Sequence, residues 1–162
     1  MTAKFLLMLF LMSLHLPAVS WVGKYEEGYI AFHKGDYATA LQKWKPLAEE
    51  GVAEAQLSLG TMYDKAQGVP QDYAEAAKWY RKAADQGEAQ AQHNLGMLYY
   101  EGAGVAKDLP RAYLWVQIAA LQGDERAEQS LKRIAEGMTA AQIAEAKGLA
   151  DDWMARLKKQ SR

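Results

Sequence analysis

Two histidines and three serines downstream of residue 20 are the side chains whose types could serve a metal site or a nucleophilic active site. His33 and His93 are far apart, and neither has an H-E-x-x-H or comparable ligand spacing around it. Ser58, Ser130 and Ser161 lack the G-x-S-x-G and S-x-x-K contexts that activate a serine. These patterns favour structural or surface roles, and they predict neither a metal site nor catalysis.

A glycine pair and the many carboxylates are the other candidates for chemistry. Gly102-x-Gly104 resembles part of a phosphate-binding loop, but Lys107 occupies the third glycine position and no predicted strand precedes it. The carboxylates fit solvated helix faces or helix caps. We therefore predict no catalytic residue, no cofactor and no metal.

Five tryptophans could suggest a ligand site. Trp44, Trp79 and Trp115 belong to repeat positions, and Trp153 belongs to the apolar stripe of the last predicted helix. Core packing is the favoured interpretation for these four. Trp21 stands at the predicted start of the mature chain.

The segment Val52–Gly87 repeats as Glu88–Gly123, with 15 of 36 positions identical and no gap. A fixed period of this length is typical of a solenoid of helical pairs. The identical positions are Ala53/Ala89, Ala55/Ala91, Gln56/Gln92, Leu59/Leu95, Gly60/Gly96, Tyr63/Tyr99, Gly68/Gly104, Val69/Val105, Asp72/Asp108, Ala76/Ala112, Trp79/Trp115, Ala83/Ala119, Ala84/Ala120, Gln86/Gln122 and Gly87/Gly123.

Each copy predicts two helices joined by a glycine-containing turn. Ala55, Leu59 and Tyr63 recur every four residues, so they share one helical face. Gly60 beside that face would let a neighbouring helix approach closely. Asp72 is a favoured N-cap for the second helix, whose predicted buried stripe includes Trp79.

The pattern A-x-A-Q-x-x-L-G-x-x-Y, G-V-x-x-D, A-x-x-W-x-x-x-A-A-x-x-G resembles the Sel1-like repeat, a relative of the tetratricopeptide repeat. The second copy departs from the first at Ala106 and Leu109, where the first has Pro70 and Tyr73. The resemblance implies an all-α fold, a right-handed superhelix of about seven helices in antiparallel pairs. It also implies a role in protein–protein interaction.

The flanking segments predict the rest of the organisation. Residues 21–51 form a degenerate first unit, residues 52–87 and 88–123 the two full repeats, and residues 124–158 C-terminal capping helices. Thr139 and Gln142 predict a capping box for the last helix, whose apolar stripe includes Leu149 and Trp153. Residues 159–162 are expected to form a flexible tail.

Residues 1–20 resemble a cleaved bacterial signal peptide, because Lys4 precedes an apolar run and Ala18-Val19-Ser20 is a small-x-small cleavage signal. An uncleaved membrane anchor is the alternative, but the run of 12 residues is shorter than the roughly 20 that span a bilayer. The mature protein would begin at Trp21 in the periplasm or outside the cell, without membrane insertion.

Composition restricts the partner class. The chain has no cysteine, which excludes disulfides and thiolate metal sites. Removal of Lys4 from the 19 Lys and Arg residues leaves 18 against 20 acidic residues, a net charge of −2. Such a balance favours neither nucleic acid nor an anionic membrane as partner.

A binding strip on the first helices is the remaining candidate site. The resemblance implies that the first helix of each pair lines the concave side of the solenoid. The predicted strip consists of Tyr25, Tyr29, Leu57, Thr61, Asp64, His93, Met97, Tyr100, Gln129 and Arg133. These positions differ between the copies, which fits a surface for a particular protein or peptide partner. The alternative is that they are unconstrained solvent-facing residues.

Three functions remain open from the sequence. The leading hypothesis is a non-catalytic adaptor or scaffold of the bacterial envelope or exterior. The second is a hydrolase of cell-wall peptide or a β-lactam, with which some secreted relatives are associated, although those relatives are cysteine-rich. The third is a self-assembling structural subunit, which exposed apolar residues on the helix around Val22–Phe32 would favour.

Overall fold

The computed structural model of the protein describes residues 16–160, with side chains defined from Trp21 to Lys159. The predicted signal segment lies mostly outside this range, and α1 continues across the predicted cleavage site between Ser20 and Trp21. The described range contains eight α-helices and no strand, one helix more than the predicted seven. The helices are α1 (Leu16–His33), α2 (Tyr37–Glu49), α3 (Ala53–Lys65), α4 (Tyr73–Asp85), α5 (Ala89–Glu101), α6 (Leu109–Leu121), α7 (Ala127–Ala135) and α8 (Ala140–Gln160).

Aspartates 36 residues apart begin the second helix of each unit. The carboxylate of Asp72 accepts a hydrogen bond from the Glu75 amide at 2.9 Å, which satisfies one of the free donors at the start of α4. Asp36 and Asp108 cap α2 and α6 in the same way. The N-cap predicted at Asp72 is therefore confirmed.

Glycines let the two helices of a unit approach closely. A Cβ built on Gly60 would lie 2.5 Å from a ring carbon of Tyr80 on α4, and one on Gly96 would lie 2.6 Å from Val116 on α6. Contacts this short do not occur between real side chains, so the neighbouring helix occupies the space that a larger residue would need. The close approach predicted at Gly60 is confirmed.

The core is divided into three adjoining clusters rather than gathered at one centre. The N-terminal cluster joins α1, α2 and α3 with Trp79 of α4, and it includes the fully buried Leu59 and Met62. The middle cluster places Trp115 of α6 among residues of α4, α5 and α8. Such a division is what stacked repeats require, because each unit buries its apolar face only against its neighbours.

The C-terminal helices α7 and α8 both pack on α6. The capping box before α8 is confirmed, since the Thr139 amide donates to the Gln142 side chain at 2.9 Å and the Gln142 amide donates back to the Thr139 hydroxyl at 3.2 Å. Trp153 meets Trp115 edge-on, with ring centroids 6.1 Å apart. Leu149 departs from the prediction, because it is 49% exposed beside a cleft between α6 and α8.

Candidate partner-binding surface

The first four residues of the predicted strip lie around one cleft. Tyr25 and Tyr29 of α1 face Leu57 and Thr61 of α3 across a cavity of about 160 Å³. We call this cavity the aromatic cleft. Its other lining residues are Phe32, His33, Trp44, Ser58 and Gln90.

Hydrogen bonds fix the inner wall of the aromatic cleft. The Trp44 indole donates to the backbone oxygen of Tyr25 at 3.1 Å, and the two rings stack with centroids 5.6 Å apart. The Tyr25 hydroxyl lies 3.2 Å from the hydroxyl of Ser58 on α3. Burial raises the pKa of the Tyr25 phenol, and the Glu54 and Glu88 carboxylates raise it further. The cleft is thus preformed and bordered by negative charge.

Tyr29 forms the outer wall. Its ring lies 4.2 Å from the His33 ring, measured between centroids, and the side chain remains 49% exposed. An exposed tyrosine on a rigid helix offers a large contact area at a small cost in side-chain entropy. This side chain is therefore suited to contact a bound molecule.

Thr61 and Asp64 help to hold the buried Tyr80 of α4. The Tyr80 hydroxyl lies 3.1 Å from the Asp64 carboxylate and 3.4 Å from the Thr61 hydroxyl. The Tyr80 side chain is fully buried, and this burial strongly raises the pKa of its phenol. Sequence reasoning missed Tyr80, because Val116 occupies the same position in the next repeat and the two types share no pattern.

His93 connects α5 to α7 beneath the surface. Its Nε2 lies 2.9 Å from the Ser130 hydroxyl, and only 7% of the residue is exposed. Ser130 in turn donates to the backbone oxygen of Arg126. The structure therefore places His93 inside the seam between two units.

The remaining strip residues form a second patch on α5 and α7. Tyr100 lies between two cations, with the Arg133 guanidinium 5.3 Å and the Lys107 ammonium 5.6 Å from the ring centroid. Met97 is half-buried beside it, whereas Gln129 and Arg133 are exposed. The strip thus divides into the aromatic cleft near α1 and a basic aromatic patch near α7.

Paired glutamines explain two of the repeated polar positions. The Gln56 amide donates to the Ala48 carbonyl at 3.0 Å, and its oxygen accepts from Gln86 at 2.8 Å. Gln92 and Gln122 repeat this arrangement one unit later. Because Gln56 and Gln92 are buried, their hydrogen bonds satisfy groups that would otherwise be costly to bury. These glutamines link successive units and are not part of the strip.

The His93 seam should make stability depend on pH. Burial, helped by the nearby Arg126 guanidinium, lowers the pKa of His93 below its usual value near 6.5. The unfolded chain then binds the proton more tightly than the folded chain, so the free energy of unfolding should fall as the pH drops below about 6.5. Urea unfolding at a series of pH values from 7.5 to 5 measures this loss.

The matched variant is His93→Gln, which keeps an amide near Ser130 but does not titrate. We expect wild type to lose stability relative to this variant on acidification, since His33 and the carboxylates are common to both proteins. An identical pH dependence for the two proteins would show that His93 protonates equally well in the folded and unfolded states.

Within residues 16–160, no group of three or more His, Cys, Asp or Glu side chains is arranged to hold a metal ion. No helix in the same range combines the length and the apolar character that a membrane span requires.

Stacked helix pairs with shared interfaces define this protein as an α-helical repeat solenoid, so the predicted fold class is confirmed. More specifically, the chain contains two Sel1 repeats. The family model described as Sel1 repeat matches residues 53–88 and 89–124, one residue later than the repeat boundaries predicted from self-similarity. The resemblance seen in the sequence is thereby confirmed.

The solved structures that share the fold include the following two. One is c5321, a protective antigen present in uropathogenic Escherichia coli strains and displaying an SLR fold, with 28% identity and a TM-score of 0.78. The matched region covers 86% of this chain and 32% of the c5321 chain. The other is a Sel1 repeat protein from Oxalobacter formigenes, with 35% identity and a TM-score of 0.66. The matched region covers 72% of this chain and 50% of the Oxalobacter protein's chain. No curated protein matches the chain.

The chain therefore spans about one third and one half of these two relatives. Sel1-repeat proteins generally bind other proteins, and their fold is typically a non-catalytic interaction scaffold. At this level the resemblance indicates a helical-repeat module for protein interaction.

Proposed function

We propose that this protein is a non-catalytic adaptor of the bacterial envelope or exterior, which binds a partner protein or peptide along the predicted strip. The observation that carries the proposal is the aromatic cleft. Most of its side chains come from α1 and α3, the first helices of two successive units, and the positions of Tyr29 and Leu57 are not fixed by the repeat. A scaffold that keeps its core positions and varies this face can acquire a particular partner without losing its fold.

Substitution of exposed strip residues tests the proposal. The variant combines Tyr29→Ala, Gln129→Ala and Arg133→Ala, because these side chains are exposed and their loss should leave the packed core intact. Asp64 and His93 remain unchanged, since each holds another element in place. The test is affinity capture from an envelope extract. We expect the variant to capture at least about tenfold less of a partner than wild type does, because truncation of hot-spot residues has effects of this size.

The control variant combines Tyr73→Ala, Gln42→Ala and Arg156→Ala, which removes the same three residue types from exposed positions on α4, α2 and α8. It should retain the partner at unchanged thermal stability. Equal recovery of every partner by the strip variant and this control would rule out the strip as the binding surface.

Export is part of the proposal, and it is supported by the lysine, apolar run and small-x-small pattern of residues 1–20. Protein isolated from its native host should have Trp21 as its first residue, because signal peptidase would cleave after Ser20. Intact-mass spectrometry checks this boundary. A mass that includes residues 1–20 would overturn the location and leave the repeat fold unaffected.

Self-association is a second candidate, and exposed apolar residues on α1 favour it. Val22, Tyr29 and Ile30 are 45%, 49% and 50% exposed on a helix that has no neighbouring unit before it within the described residues. Sedimentation analysis of wild type and Ile30→Glu distinguishes the candidates. A dimer that Ile30→Glu dissociates would support self-assembly, whereas two monomeric proteins would rule it out.

A further inference from the structure

The aromatic cleft has the size of a single side chain. Its volume is about 160 Å³, below the roughly 300–1,000 Å³ of a typical small-molecule pocket. Most of its lining residues lie on α1 and α3, the first helices of two successive units. A partner would therefore place one anchoring residue in the cleft.

The chemistry of the walls selects the type of anchor. Four aromatic side chains line the cleft: Tyr25, Tyr29, Trp44 and Phe32. Its lining includes no lysine or arginine. Aromatic faces attract a cation through the negative charge of their π-systems, and the attraction is larger where water is excluded. The imidazole of His33 also lines the cleft, and its ring is tilted by 57° against that of Tyr29 at the outer edge.

Carboxylates at the border add to this preference. Glu54 lies one helical turn before Ser58, whose hydroxyl contacts Tyr25, and Glu88 precedes the lining residue Gln90. Both carboxylates also raise the pKa of the Tyr25 phenol, which agrees with these positions. Glu88 makes no capping hydrogen bond to α5, and neither Glu54 nor Glu88 belongs to an ion pair among the described residues.

We propose that the aromatic cleft binds an arginine or lysine side chain of an extended segment of the partner protein. This inference rests on the proposed adaptor function and specifies its anchoring contact. The cation would lie against Tyr25 and Tyr29, while Glu54 and Glu88 compensate its charge. An aliphatic side chain would fill the same volume but would leave the two carboxylates without a partner.

Peptide selection tests the proposal and does not require the natural partner to be identified. A displayed library of random twelve-residue peptides is selected on the full chain at low and at physiological salt. We expect the enriched peptides to share a basic residue at one position and to lose binding to Tyr29→Ala. Replacement of that basic residue by norleucine should weaken binding about three- to tenfold.

The charge contribution is measured with matched variants. The double variant Glu54→Gln, Glu88→Gln should bind the basic peptides about three- to tenfold more weakly than wild type at low salt, and the difference should be smaller at high salt. Glu101→Gln with Glu136→Gln, which removes two exposed carboxylates elsewhere, should change their affinity less than twofold. Equal effects of the two double variants would overturn the proposal.

The remaining outcomes separate this inference from the adaptor function. Enriched peptides that share an aliphatic or aromatic residue, and depend on Tyr29, would overturn the cationic anchor and support the adaptor. Peptides that resemble a neutral segment of this chain would indicate a second copy as occupant and would also overturn it. Absence of enriched peptides, or peptides insensitive to Tyr29→Ala, would count against both proposals.

Discussion

Gly104→Ala should destabilise the protein by about 2–5 kcal/mol, because two costs coincide at this turn. Gly104 has a φ of +69°, a left-handed conformation in which any Cβ is strained by roughly 1–2 kcal/mol. Its Cβ would also overlap the backbone of Tyr73 and Ala74 at the start of α4. Backbone cannot move aside as a flexible side chain can, so the interface between the two repeats would have to open.

Two other glycines separate these costs. Gly123 has a φ of +91° but no atom within 4 Å of its Cβ position, so Gly123→Ala should cost only the strain of about 1–2 kcal/mol. Gly148 lies within α8 with open space around it, so Gly148→Ala should be neutral or stabilising by up to about 1 kcal/mol. Urea unfolding of the three variants measures the differences. Equal losses for Gly104→Ala and Gly123→Ala would show that the turn does not press on α4.

The period of 36 residues was sufficient to predict the architecture. Identical residues at Gly60 and Gly96, or at Asp72 and Asp108, report a backbone requirement that recurs in each unit, so their roles could be inferred without coordinates. The paired glutamines were visible as repeated positions, but their partners were not. Gln86 reaches Gln56 from 30 residues away, and helix packing alone determines that contact.

The strip was harder to predict, because its residues vary between the units and the period carries no information about them. Helical spacing placed Tyr25, Tyr29, Leu57 and Thr61 on one side, and the structure brings them to one cleft. The same spacing could not show that His93 is covered by α7 or that Asp64 meets the hydroxyl of Tyr80. Whether a side chain is exposed or buried between two units depends on which residues of the neighbouring helix pack against it.

Trp79→Ala should cost about 3–5 kcal/mol, the range for deleting a large buried aromatic side chain. Trp79 is 8% exposed, and it belongs to the cluster of α1, α2 and α3 although it lies on α4. Its removal would leave a cavity between the first unit and the first full repeat. The Lys82 ammonium, 4.2 Å from the Trp79 ring centroid, adds a smaller cation–π contribution.

Lys82→Ala isolates that smaller contribution and should cost less than about 1 kcal/mol, because the lysine is exposed. Since units of a solenoid stabilise only their neighbours, the loss from Trp79→Ala should be local. Hydrogen exchange should show protection falling most in α1 and α2, while α6 and α8, held together by Trp115 and Trp153, retain more of theirs. A uniform loss of protection along all eight described helices would instead show that the array unfolds as one cooperative unit. A loss no larger than that of Lys82→Ala would mean that the indole does not join the units.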